Sequence, residues 1–198
     1  MEIKKINCAN QLNETEKFYV NHLLWGTKVC PETYGQIGFI PEDGFYIQMV
    51  CKESDPRSVY TKDQEPVCKD SAMEVFFLFP QKDGRIYINL EFNANGALLA
   101  QYGEARSGRA YFTEDMCKRV DCKAFKEDGM WHAKLKLPLD LVEEIVHPLP
   151  IREGSHFYCN FYKISETKEI EHYASYSPVK TEMPDFHRPE YFTECVIV

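Results

Sequence analysis

Arg85-Ile-Tyr-Ile-Asn-Leu-Glu-Phe-Asn93 alternates without a break. Ile86, Ile88, Leu90 and Phe92 fall on one side of an extended chain, and Tyr87, Asn89, Glu91 and Asn93 fall on the other. Period two is the signature of a strand with one face in a core. The second face lacks the Lys, Thr and Ser of a solvated surface. It carries a ring, two amides and a carboxylate, groups that hydrogen-bond hydroxyls and cover the C–H faces of ring-shaped ligands.

The run before it repeats the pattern. In Asp70-Ser-Ala-Met-Glu-Val-Phe-Phe-Leu-Phe-Pro80, Met73, Val75, Phe77 and Phe79 share one face, and Glu74, Phe76 and Leu78 share the other. A carboxylate on an apolar strand is costly unless it is paired or meets water. Gln81 to Gly84 turns the chain, so the two runs read as a hairpin with Glu74 and Glu91 on one face.

Outward from the hairpin, strand signals recur. Asn95-Gly96 marks a tight turn into a strand over 97–102 that leads to Arg106 and Arg109. Phe45, Ile47, Met49 and Cys51 alternate with Tyr46, Gln48 and Val50, after a turn at 41–44 and a weaker strand at 35–40. Residues 121–126 and 131–137 flank Glu127-Asp-Gly129 as a second hairpin, and 157–164 alternates Phe157, Cys159 and Phe161 with Tyr158, Asn160 and Tyr162. A helix capped by Asn13 is expected over 13–24 and a short one over 139–146. Residues 52–69 read as a long loop, 172–189 as an aromatic- and His-rich loop, and 191–198 as an edge strand. Many short strands with a turn about every ten residues predict an all-β, antiparallel, jelly-roll-like sandwich with one or two short helices. The expected organisation is one domain over 1–198, with 1–30 an N-terminal extension packed on it.

Composition excludes several classes. The 198 residues are 44% hydrophobic and 14% aromatic, enough for a real core, and the net charge is −8. With no Lys/Arg cluster, neither nucleic acid nor an anionic membrane surface is an expected partner. No stretch reaches the roughly 18 apolar residues of a membrane span. The N-terminus has no apolar leader, so the expectation is a cytoplasmic chain with mostly free thiols among its eight cysteines. Cys117-x4-Cys122 has poor zinc spacing, and His156, His172 and His187 are dispersed. No nucleophile motif such as Gly-x-Ser-x-Gly occurs. His187, between Pro184 and Pro189, reads as a loop hydrogen-bonder.

Asp70-Ser-Ala-Met-Glu-Val-Phe76 and Tyr87-Ile-Asn-Leu-Glu-Phe-Asn-Ala-Asn-Gly96 resemble the family 9-like carbohydrate-binding modules, sandwiches of the DOMON-like kind. The likeness extends, in order, through Cys51 to Pro56, Gly129-Met-Trp131, Leu137-Pro138-Leu139, Asn160-Phe-Tyr-Lys163, His172-Tyr-Ala-Ser175 and Pro184-Asp-Phe-His-Arg-Pro189, covering about Gly35 to Val198. It implies a non-catalytic, sugar-binding sandwich, often bacterial, often extracellular and often beside a glycoside hydrolase partner. It also implies structural Ca²⁺ in some members. In the sugar-binding members two Trp rings clamp a sugar. The polar contacts match Glu74, Asn89 and Glu91 here. At the clamp the sequence departs: Val67-Cys68-Lys69 holds no Trp, and Tyr176 stands at the second position.

The expected ligand is therefore a saccharide on a concave face. Glu74, Asn89, Glu91 and Arg57 or Arg106 would bind hydroxyls, and Tyr87, Tyr158 and Tyr176 would stack. The alternatives are a glycoside hydrolase or lyase using Glu74 and Glu91, whose chemistry needs carboxyl groups about 5 to 9.5 Å apart, or a sandwich-type interaction or haem-binding module.

Overall fold

The computed structural model describes residues 1–198. In chain order the elements are β1 (Glu2–Lys5), β2 (Lys17–Tyr19), β3 (His22–Leu23), β4 (Thr33–Ile40), β5 (Gly44–Cys51), β6 (Ala72–Leu78), β7 (Tyr87–Asn93), β8 (Leu98–Gly103), β9 (Ala110–Tyr111), α1 (Glu114–Val120), β10 (Lys123–Glu127), β11 (Met130–Pro138), α2 (Leu139–Val146), β12 (His156–Ser165), β13 (His172–Ser175) and β14 (Thr193–Ile197).

They form the expected sandwich. The first sheet runs β10-β11-β5-β4, with β2 along the outer edge of β4. The second runs β14-β12-β6-β7-β8-β9, with β13 sharing an edge of β12 and β3 beside β13. The ladders are antiparallel except at β1, whose first residues pair parallel to β14 and whose last pair parallel to β4. One short strand thus ties the two sheets together.

The alternation read from the sequence builds the core. Met73, Val75, Phe77, Ile88, Leu90, Phe92, Phe157 and Phe161 of the second sheet pack on Phe45, Ile47, Met49, Trp131, Leu135 and Leu137 of the first. The β6–β7 register sets Glu74 directly opposite Glu91, with Phe76 opposite Asn89. Their connection spans 79–86, longer than the four residues expected. Gln81 stands in for the missing ladder there: its amide donates to Ile86 O and accepts from Ile86 N. At the next turn Gly96, at φ +80°, donates to Asn93 O at 3.0 Å.

Four expectations are corrected. The helix expected over 13–24 is a 3₁₀ turn, Ala9–Glu14, followed by β2 and β3. Phe18 there stacks on Phe161 of the core, and edge pairing to β4 outweighs helix propensity. Helix α1 was not expected, although Thr113 caps it and acidic and basic residues occupy its first and last turns. The first four residues of the 172–189 loop are β13. The closing strand β14 is no edge, since it lies between β12 and β1.

Candidate functional site

The outer face of the second sheet is partly roofed by the segment 176–192. Asn160 on β12 clasps that segment: its amide donates to Ser177 O and Tyr191 O and accepts from Ser177 N. Phe186 stacks on Tyr162 at 4.1 Å, and the Tyr162 hydroxyl donates to Phe186 O. Under this roof Phe76, Tyr87, Tyr162, Phe186 and Phe192 form a second apolar cluster.

Beside the roof lies a cavity of about 260 Å³. Glu74 and Glu91 are both buried and form its floor. Arg109 and His187 stand to one side, Arg106 and Asp185 at the rim, and Trp25 and Tyr173 form an aromatic wall. Arg106 is fixed by Asp185 at 3.2 Å and by Pro184 O at 2.9 Å.

The electrostatics follow from burial. Glu91 accepts from the Asn89 amide at 3.1 Å, and Asn89 in turn accepts from Arg109 at 3.4 Å. Glu74 Oε2 and Arg109 Nε are buried and have no partner. Burial, then the charges of Glu91 and Glu166, hold the Glu74 carboxyl well above the usual range. Burial likewise pushes Glu91 up to about 7, with Arg109 opposing. Near neutrality the pair therefore holds a proton between them, offering a donor and several acceptors side by side. Burial and the neighbouring Arg109 and Arg106 keep the His187 ring neutral.

Of the residues singled out from sequence, Glu74, Glu91 and Arg106 meet at this cavity. Asn89 is buried behind the floor and orients Glu91. The other residues singled out lie elsewhere. The Tyr87 ring is wholly buried against Phe76 and Phe192, and its hydroxyl meets His187 Nδ1 at 3.0 Å. Arg57 bonds Lys69 O and pairs with Asp70 at 3.5 Å, bracing the 52–69 loop away from the site. Tyr158 is exposed, but in a separate hollow with Arg85 and Phe192. Tyr176 packs edge-on against Phe18 and Phe161, beside Met1. Tyr46 and Gln48 lie on the first sheet, bonded to Asp43 and to Gln36 and Asn13.

Trp25, Arg109, His187, Tyr173 and Glu166 line the cavity and were not chosen from sequence. Arg109 carried the clearest signal, three residues beyond Arg106 after β8.

The carboxylate beside the long loop is committed within the protein. Asp70, the buried carboxylate nearest the long loop, accepts from Val59 N, Tyr60 N and Asn93 and pairs with Arg57, so its oxygens are committed. Nowhere do three His, Cys, Asp or Glu side chains gather to hold a metal.

Comparison with known proteins places this architecture. The model of carbohydrate-binding family 9 matches residues 5–197, and the chain belongs to that family. A crystal structure of a protein described as carbohydrate-binding, from Bacteroides uniformis, superposes with a TM-score of 0.85 at 22% identity, covering 100% of this chain and 98% of that one. A family 9 module from Caldicellulosiruptor kristjanssonii in complex with glucose gives 0.63 at 9% identity, covering 100% and 95%. The same organism's family 9 module in complex with cellotriose gives 0.63 at 9%, covering 100% and 92%. Among curated proteins, none matches the chain.

Proposed function

We propose that the chain binds a saccharide, without catalysis, in the cavity over Glu74 and Glu91. One observation carries this reading. Two buried polar groups on residues that line one cavity, Glu74 Oε2 and Arg109 Nε, lack partners. Each such group costs roughly 1 to 3 kcal/mol unless something satisfies it. Sugar hydroxyls both donate and accept, so one ring can satisfy both, while Trp25 and Tyr173 offer surfaces to its C–H face. Two carboxyl groups in the floor disfavour a phosphate or carboxylate ligand.

Hydrolysis is less well served. Glycosidase carboxyl groups flank the scissile bond. Glu74 and Glu91 are directly opposed on neighbouring strands and share one face, so both approach a bound sugar from the same side. This cavity is too small for a haem, since about 260 Å³ is below the roughly 300 Å³ at which pockets for drug-sized ligands begin.

Titration calorimetry at pH 7 with glucose, xylose, mannose, galactose and their β-1,4-linked disaccharides tests the reading. Saturable heat with at least one sugar is expected, lost in Glu91→Ala. No heat from any sugar at millimolar concentration would overturn it.

A further inference from the structure

The charged groups that line the cavity are unevenly paired. Arg106 holds Asp185, and Arg188 holds the same carboxylate at 2.7 Å. Arg109 donates to Asn89 Oδ1 and to the His187 ring, which is neutral. Neither lining guanidinium forms an ion pair with the three other acids of the cavity. Glu74 Oε2 is buried with no partner. Glu91 accepts from the Asn89 amide, and Glu166 accepts from the Cys68 thiol at 3.5 Å. Three carboxyl groups thus line one space with no cation beside them.

The acidic field reaches outward. Glu171 and Glu182 line the adjoining hollow, which shares Trp25, Tyr173 and Pro184 with the cavity and has no Lys or Arg in its lining. A surface lined by one sign of charge draws in ligands of the other. Cys68, which also lines the cavity, responds to the field: burial, then the charges of Glu91, Glu166 and Glu74, hold its thiol protonated.

A neutral sugar can exchange hydrogen bonds with this floor but leaves its negative charge uncompensated. An ammonium brings three donors and a charge, and hydrogen bonds between charged partners are about twice as strong as neutral ones. Aromatic faces attract cations as well. Trp25 supplies such a ring at the wall, fixed by its indole Nε1 donating to Thr181 O at 2.9 Å and by contact with Tyr173 and Phe186. We propose that the sugar held here is an amino sugar, its ammonium set among Glu74, Glu91 and Glu166 and its hydroxyls meeting Arg109 Nε. The inference rests on the saccharide reading above and adds the charge that the ligand carries. Binding then has a proton signature. In the free protein the Glu74–Glu91 pair holds a proton near neutrality; an ammonium beside it favours the ionised form, and that proton leaves for the buffer.

Calorimetry at pH 6.5 with glucosamine, galactosamine and mannosamine, each against its neutral parent and its N-acetyl derivative, tests it. At least one amino sugar should bind about tenfold or more tightly than both. Its titration in two buffers of different ionisation heat should show proton release, and that of the neutral parent should show far less. Glu74→Gln keeps the shape of the floor, and Glu166→Gln changes an exposed position. Each should cut the amino sugar's advantage by roughly threefold or more. Ethanolamine, an amine without a sugar ring, should bind far more weakly. An amino sugar that binds no better than its neutral parent, an advantage that survives both substitutions, or ethanolamine binding as tightly as the amino sugar overturns the inference. In each case the saccharide reading stands as long as any sugar binds. Absence of binding by every sugar, charged or neutral, overturns both.

Discussion

Two ionisable side chains are buried at neighbouring positions of the second sheet, on opposite faces. Lys163 pairs in register with Met73 and points into the sandwich; Tyr162, beside it, pairs with Glu74, which points out. The Lys163 ammonium donates to Ser71 Oγ at 2.6 Å, to His172 Nε2 at 2.8 Å and to Ile164 O at 3.4 Å. The network continues, Ser71 and Trp131 donating to Glu53 and His172 Nδ1 to Ile170 O. Glu74 keeps an oxygen with no partner, on the floor of a cavity. Burial alone therefore does not separate structure from site. Satisfaction does: a buried charge with its partners around it holds the fold, and one without them, beside empty space, is poised for a ligand.

The largest expected effect falls on the satisfied side. Lys163→Met should lower stability by roughly 3 kcal/mol in denaturant titration, because it strands the buried acceptors of Ser71 and His172. An unchanged midpoint would break the contrast. The two faces should also differ in pH dependence. Burial and Lys163 hold His172 down to about 4, below its ordinary 6.5. The unfolded chain therefore binds more protons between those values, and this contribution is lost as pH falls from 6.5 to about 4. After discounting for partial solvent screening it amounts to roughly 2 kcal/mol, and His172→Gln should flatten that limb.

Glu74 and Glu91 have the opposite sign. Their carboxyls are raised, so the folded chain binds more protons, and stability falls as pH rises from about 4.5 through about 7. Glu74→Gln should raise stability at pH 8 by roughly 1 to 3 kcal/mol while weakening saccharide binding, the trade expected of a site but not of a scaffold. The smallest effect belongs to Tyr87→Phe. Losing the hydroxyl's bond to His187 should cost about 1 kcal/mol in thermal unfolding, with the roof otherwise intact.

Where a signal was local, it was legible. Alternation in β5, β6, β7, β11 and β12 placed nearly every inward residue, and α2 was read at its full length. The opposition of Glu74 and Glu91 followed from recognising the hairpin. Strands β2, β3 and β13 were missed because each is two to four residues long and is held by distant pairing, not by pattern. Trp25 was passed over for the same reason: its place depends on Tyr173, Phe186 and Thr181, some 150 residues away.

The sequence by itself determined the two-sheet architecture and which side of each strand faces the core, because a strand's period is a property of its own backbone. It also put two carboxyl groups on the outward side. Only the tertiary structure decided which part of that side is open. Tyr87 disappears beneath His187 and Phe192, Tyr158 and Tyr176 face other hollows, and Trp25 arrives from the N-terminus to wall the cavity. A face is fixed by local geometry. A roof is fixed by which remote segments find partners on it, here through Asn160, Tyr162 and Tyr173.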